Sequence, residues 1–220
     1  MIGKESTAGM SAAVVELFWL PLGAGPRRQL VRLSGRVYER LMACRESRPR
    51  QLLYHSALRV RLGNDDHVVE MAPVWSSRAA ERGAVAWGPV GLPWLGRSRY
   101  FRYEVRCWLH GIIDDWAYAV QSPVNIPTDL PRARRLLELV PDFPTLTWGM
   151  DELGAGDMWN SNSLISWVLT VSGHDLSTIE PPHGGRAPGW SAGLTCAALT
   201  RSSRDTAIAS ASRSRSPAVS

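Results

Sequence analysis

Motifs that declare a chemistry are missing from this 220-residue sequence. There is no GxxxxGK[ST] loop and no GxGxxG after a strand, so neither phosphate cradle is present. HExxH and a GxSxG elbow are also absent, which excludes the common zinc-hydrolase and α/β-hydrolase signatures. Cysteine is scarce: Cys44, Cys107 and Cys196 are odd in number, far apart and without a C-x-x-C. They make neither a zinc knuckle nor a disulfide framework, and a reducing cytoplasm is the default setting. Lysine is nearly missing. Lys4 is its single instance, and every other cation is arginine, a bias expected of a high-GC bacterial genome. No apolar run is long enough to span a bilayer. His174, Asp175, Glu180 and His183 share no regular ligand spacing, so no metal site and no cofactor is expected.

What is present reads as one α+β domain. The chain is long enough for a single well-buried core. The formal charge of +5 is concentrated after residue 200, where four arginines and one acid leave the first 200 residues near +2. The body therefore carries no electrostatic footprint for nucleic acid. Residues 200–220, rich in Ser, Ala and Arg, read as a disordered tail, and residues 1–11 as a flexible start. A salt-dependent nucleic-acid affinity of the tail is the weakest of the functional readings. Ten tryptophans are many, and Trp75, Trp87, Trp94 and Trp108 fall in one stretch, which is expected to bury large rings.

Residues 14–22 read as a buried strand rather than a signal-peptide core, because Glu16 interrupts the apolar run. Helical spacing runs through residues 30–45. Two β-rich runs joined by Gly63-Asn64-Asp65-Asp66 predict a hairpin with a four-residue loop. In residues 100–108 Phe101, Tyr103, Val105 and Cys107 alternate with Arg102, Glu104 and Arg106, the pattern of a half-buried antiparallel strand. A helix over 131–140 begins near Pro131, and a second runs over 160–172 and stops at Gly173. Residues 181–190 read as an irregular loop, and 193–200 as a last short strand.

Three places carry chemistry: His55 in a strand, Glu70 in the returning strand, and Asn160-Ser161-Asn162-Ser163 at a helix start. Their order resembles the circularly permuted papain-like superfamily, which includes lecithin:retinol acyltransferase-like proteins and bacterial amidases. Tyr54-His55-Ser56-Ala57-Leu58 is similar to its histidine strand, Glu70 to its orienting polar residue, and Asn160-Ser161-Asn162-Ser163-Leu164-Ile165 to its nucleophile helix. The resemblance covers roughly residues 50–172. It implies a small antiparallel sheet packed against helices, with Ser161 as nucleophile, His55 as general base and Glu70 as orienting residue. One departure is central: the family has cysteine where this chain has Ser161.

That departure changes the chemistry. A helix N-terminus and an imidazolium lower a thiol pKa into a range of about 3.5–7.5. A hydroxyl starts far higher, so Ser161 needs a base to take its proton during attack. Ser161 precedes Leu164, Ile165 and Val168 by three, four and seven residues and shares their face, whereas Ser163 is turned about 200° away. Glu70 has a competing role, a cross-strand ion pair with Arg59. Asn160 or Ser161 serves equally as a plain N-cap. Asn160, Asn162 and Arg186 are candidate contacts for a small-molecule or peptide substrate, the last beside Gly184-Gly185. Two functions remain open. One is a hydrolase or acyltransferase acting on an amide, thioester or ester. The other is a non-catalytic relative that binds a peptide, lipid or partner protein.

Overall fold

The computed structural model describes residues 13–23, 39–40, 42–74, 83–113 and 116–213. Its centre is an antiparallel sheet of β1 (Ala13–Pro21), β2 (Leu52–Leu62), β3 (Asp65–Pro73), β4 (Ala84–Pro89), β5 (Arg102–Leu109) and β6 (Val124–Ile126). Their order across the sheet is β4-β5-β3-β2-β1-β6, and the two-residue β7 (Gly185–Arg186) lies parallel to the start of β2. Three helices are labelled: α1 (Leu130–Leu139), α2 (Ser161–Val171) and α3 (Trp190–Arg213). The α+β class is thus as the sequence predicts.

The hairpin is tighter than expected. Leu62 pairs with Asp65, so the loop is Gly63-Asn64 alone, with Gly63 at φ 62°. A two-residue hairpin favours glycine at a positive φ in its first position, because that twist matches the strands. The shorter loop moves the register, and Arg59 faces Val68 rather than Glu70.

Side chains alternate across a strand, so the register sorts the sheet into two faces. One face holds Val15, Leu17, Trp19, Tyr54, Leu58, Val60, Val69 and Val105, all buried in one cluster with Leu164, Ile165 and Val168 of α2. Each such aliphatic side chain contributes about 1.5–3 kcal/mol on burial. Helix α2 is enclosed on its far side by α3 and is buried almost throughout. The opposite face holds Phe18, Leu20, Ala57 and Val68 in a smaller apolar cluster with Ile113. It also holds charge. The second set of β5 side chains, expected to be solvated, is enclosed: Glu104 is 0% exposed, and Arg106 joins it to Glu70.

Other expectations divide similarly. Asp129 caps α1 by accepting from Arg132 N at 2.8 Å, with Pro131 in the first turn. Residues 193–200, expected as a strand, are helical and belong to α3. That helix continues to Arg213 through residues read from composition as disordered, while 214–220 and the flexible start at 1–11 lie outside the described residues. Of the helix expected over 30–45, residues 39–40 and 42–45 are helical and 30–38 lie outside the description. The core tryptophans are Trp19, Trp159 and Trp167, whereas Trp87 and Trp94 are exposed. Trp87 sits opposite Glu104 on β4, the terminal strand of the sheet among the described residues. Trp75 lies outside the described residues. Among the described residues, no helix is long and apolar enough to cross a membrane.

Candidate functional site

The Asn-Ser-Asn-Ser motif sits where the sequence places it, at the first turn of α2. Asn160 is the N-cap, its Oδ1 accepting from Asn162 N at 2.9 Å. Ser163 Oγ closes the reciprocal capping bond by accepting from Asn160 N at 3.1 Å. Both residues also reach the segment before α3. Asn160 Nδ2 donates to Pro188 O at 2.8 Å, and Ser163 Oγ donates to Gly189 O at 2.8 Å.

Asn162 turns the other way, to the sheet. Its Nδ2 donates to Tyr54 O at 2.9 Å and to Pro188 O at 2.7 Å. Its Oδ1 accepts from Ser56 Oγ at 2.7 Å. Ser56 is therefore a strand side chain that hydrogen-bonds this helix. The β2–β3 ladder ends at Leu58–Val69, so the strand backbone before Leu58 is available to a side chain.

Ser161 is 3% exposed, and among the described residues its hydroxyl makes no hydrogen bond. Its expected base is elsewhere. His55 pairs with Leu20 on β1 and shares a face with Ala57 and Arg59. Its neighbours Tyr54 and Ser56 point to α2, so His55 points to the opposite side of the sheet. The structure does not bring Ser161 and His55 together. The sequence held the decisive signal: Leu58 and Val60 alternate with Arg59 and Arg61, and His55 has the parity of the arginines.

Glu70 does lie on the face of His55, and its carboxylate accepts from Arg106 Nη1 at 2.6 Å. The expected Arg59–Glu70 pair is replaced. Arg59 pairs with Glu16 across β1–β2 and stands over the Trp116 ring at 4.8 Å. Arg186, the candidate substrate contact on β7, pairs with Glu46 at 2.8 Å.

Other titratable groups among the described residues near α2 are engaged in structure. Asp157 is held above the usual carboxylate range by burial, while its oxygens accept from Met158 N and Ser191 N. At the far end of α2, His174 Nδ1 meets Ser172 Oγ at 2.8 Å and Nε2 meets Thr128 Oγ1 at 2.9 Å. Ser172 Oγ also lies on Val168 O at 2.6 Å, so this buried contact completes a helix end. Burial pushes the Cys107 thiol up to about 11 and raises that of Cys196, so neither supplies a resting thiolate. Among the described residues no cluster of three His, Cys, Asp or Glu could hold a metal. No family model, curated protein or solved structure matches this chain.

The stretch before β5, with Gly83, Gly88, Pro89, Gly91, Pro93 and Gly96, reads from sequence as one long turn-rich connection; the structure instead places β4 at its start and leaves a shorter connection between β4 and β5. Residues 91–101 contain two 3-10 turns, Pro93–Arg97 and Arg99–Phe101, and neither buries a residue. Trp94 is 65% and Tyr100 71% exposed, with Leu92 and Phe101 also outward. The available signal was the alternation of apolar and basic residues in LPWLGRSRYFR.

Proposed function

We propose that this chain is a non-catalytic relative of the permuted papain-like enzymes, a binding module that keeps an α+β scaffold and has lost the chemistry. The observation that carries the reading is the separation of Ser161 and His55 onto opposite sides of the sheet. A serine at a helix start needs a base within hydrogen-bond reach. The rest of the motif supports the same reading: Asn160, Asn162 and Ser163 hold α2 to β2 and to the segment before α3.

A hydrolase or acyltransferase reading keeps one supporting observation, the unengaged hydroxyl of Ser161 at the N-terminus of α2. A serine-directed fluorophosphonate probe, applied to the full chain and read by mass spectrometry, separates the two. The binding-module reading expects no adduct at Ser161. An adduct there that disappears in His55→Ala establishes the enzyme instead.

A further inference from the structure

The β4–β5 connection is ordered by its own bonds. Leu95 N donates to Leu92 O at 3.0 Å, Ser98 N to Leu95 O at 2.9 Å, and Phe101 N to Ser98 O at 3.1 Å. Arg102 Nε reaches back to Gly96 O. Arg99 donates to Tyr100 Oη at 3.1 Å and lies over that ring at 5.0 Å. The large side chains of Leu92, Trp94, Tyr100 and Phe101 are therefore held outward on a fixed backbone. An exposed apolar group of this size on an ordered segment marks a contact surface.

Within the segment the charge has one sign. Residues 90–95 carry no polar side chain, and Arg97, Arg99 and Arg102 follow at once. No acid occurs from residue 82 to residue 103. The neighbouring segment, joined through the Val90–Trp148 bridge, contributes Asp151 and Glu152. Both are exposed, and their carboxylates are engaged by backbone: Asp151 accepts from Ala155 N and Gly156 N, and Glu152 from Thr147 N.

From this pattern we infer that residues 91–101 dock on an anionic lipid surface, with Leu92, Trp94, Tyr100 and Phe101 in the headgroup layer and Arg97 and Arg99 on lipid phosphates. The assignment rests on the binding-module reading and names its partner. An amphipathic segment with aromatic and aliphatic members beside arginine suits the membrane interface, where a ring or aliphatic chain is buried and a cation meets anionic headgroups. A single-stranded nucleic acid would engage rings and cations alone and gain nothing from Leu92 and Pro93.

The test is flotation of the full chain with vesicles of phosphatidylcholine, with and without 30 mol% (about a third) phosphatidylglycerol, matching the anionic surface invoked. The protein is expected to float with the anionic vesicles and to lose that binding as salt rises. Trp94→Ala with Tyr100→Ala lowers the partition coefficient on the order of tenfold. Arg97→Gln and Arg99→Gln each lower it about fivefold. The control Arg201→Gln with Arg204→Gln, in the basic tail, leaves it unchanged. All variants are checked for an unaltered thermal transition. The assignment is overturned by no flotation, by equal flotation with neutral vesicles, or by unchanged binding of the Trp94→Ala/Tyr100→Ala variant. It is overturned equally if that variant loses oligothymidylate binding while vesicle binding persists. An adduct at Ser161 would overturn the non-catalytic reading and leave the flotation result intact, whereas failed flotation removes only the lipid assignment.

Discussion

Ser56 Oγ donates to Asn162 Oδ1 across the boundary between the sheet and α2, at 2.7 Å and out of reach of water. With the two bonds from Asn162 Nδ2, one buried amide joins strand, helix and the loop before α3. Removing a partner from such a network leaves buried groups unsatisfied, at roughly 1–3 kcal/mol for each. Asn162→Ala is therefore expected to destabilise the fold by about 2–4 kcal/mol, and Ser56→Ala by about 1–2. Ser161→Ala, which removes no hydrogen bond among the described residues, should stay within about 0.5 kcal/mol. Urea unfolding of the three variants tests the ranking, and a loss in Ser161→Ala as large as in Asn162→Ala contradicts it.

Glu104 and Arg106 form a buried pair, with Nε donating to Oε2 at 2.9 Å and Glu70 on the other arm of the guanidinium. Arg106→Met strands an enclosed carboxylate and is expected to cost about 3–5 kcal/mol. Replacing both, as Arg106→Met with Glu104→Gln, should recover a large share of that loss. Equal stabilities of the single and double variants in chemical unfolding would show that the charge is not what matters here.

His174 predicts a pH dependence. Burial lowers its pKa first, and Arg132 adds to this, while Leu169 O and Asp129 oppose it. A histidine whose folded pKa lies below the unfolded value of about 6.5 binds its proton more readily in the unfolded chain. Its contribution is complete above pH about 6.5 and is lost as pH falls through and below that value. Thermal unfolding from pH 8 to 5 should show a decline beginning near pH 6.5 that is shallower in His174→Gln. An identical slope in both proteins would assign the decline to other groups.

Gly193 marks the closest approach of α3 to α2. A Cβ built there would stand 2.1 Å from Ser166 Oγ and 2.3 Å from Ser163 O. Alanine favours a helix over glycine by about 1 kcal/mol, yet overpacking costs about 1–3. The backbone oxygen of Ser163 cannot move aside as a side chain can, so Gly193→Ala is expected to be net destabilising. Adding Ser166→Ala should not restore stability, and a full recovery by thermal melting would place the conflict on the hydroxyl alone.

Local pattern carried most of the fold. Alternation in β5, the polar interruption of β1 by Glu16 and the Asp129, Asn160 and Gly173 helix signals all act within a few residues, and each element stands where they predict. Longer-range relations were harder to read. The hairpin register turned on whether Asp65 and Asp66 belong to the loop or to β3, and composition favours the loop. The tail gave no amphipathic stripe, so its helical extension to Arg213 had no periodic signal. The candidate site failed at a different level. Its residues and their order were visible, but the resemblance assigned His55 a direction that strand parity contradicts. Leu58 and Val60 had already committed their face of β2 to the apolar core.

The apolar contact between α2 and the sheet is non-directional, and a stripe of leucine, isoleucine and valine would fit almost as well after sliding one turn along the strands. The amide of Asn162 removes that freedom, because Tyr54 O and Ser56 Oγ can be met together in a single axial position. The motif thus works as an index pin. Exchanges among Leu164, Ile165 and Val168 can be absorbed by repacking, but inserting one residue between Trp159 and Leu164 would uncouple the pin from its slot and leave the helix without a defined seat.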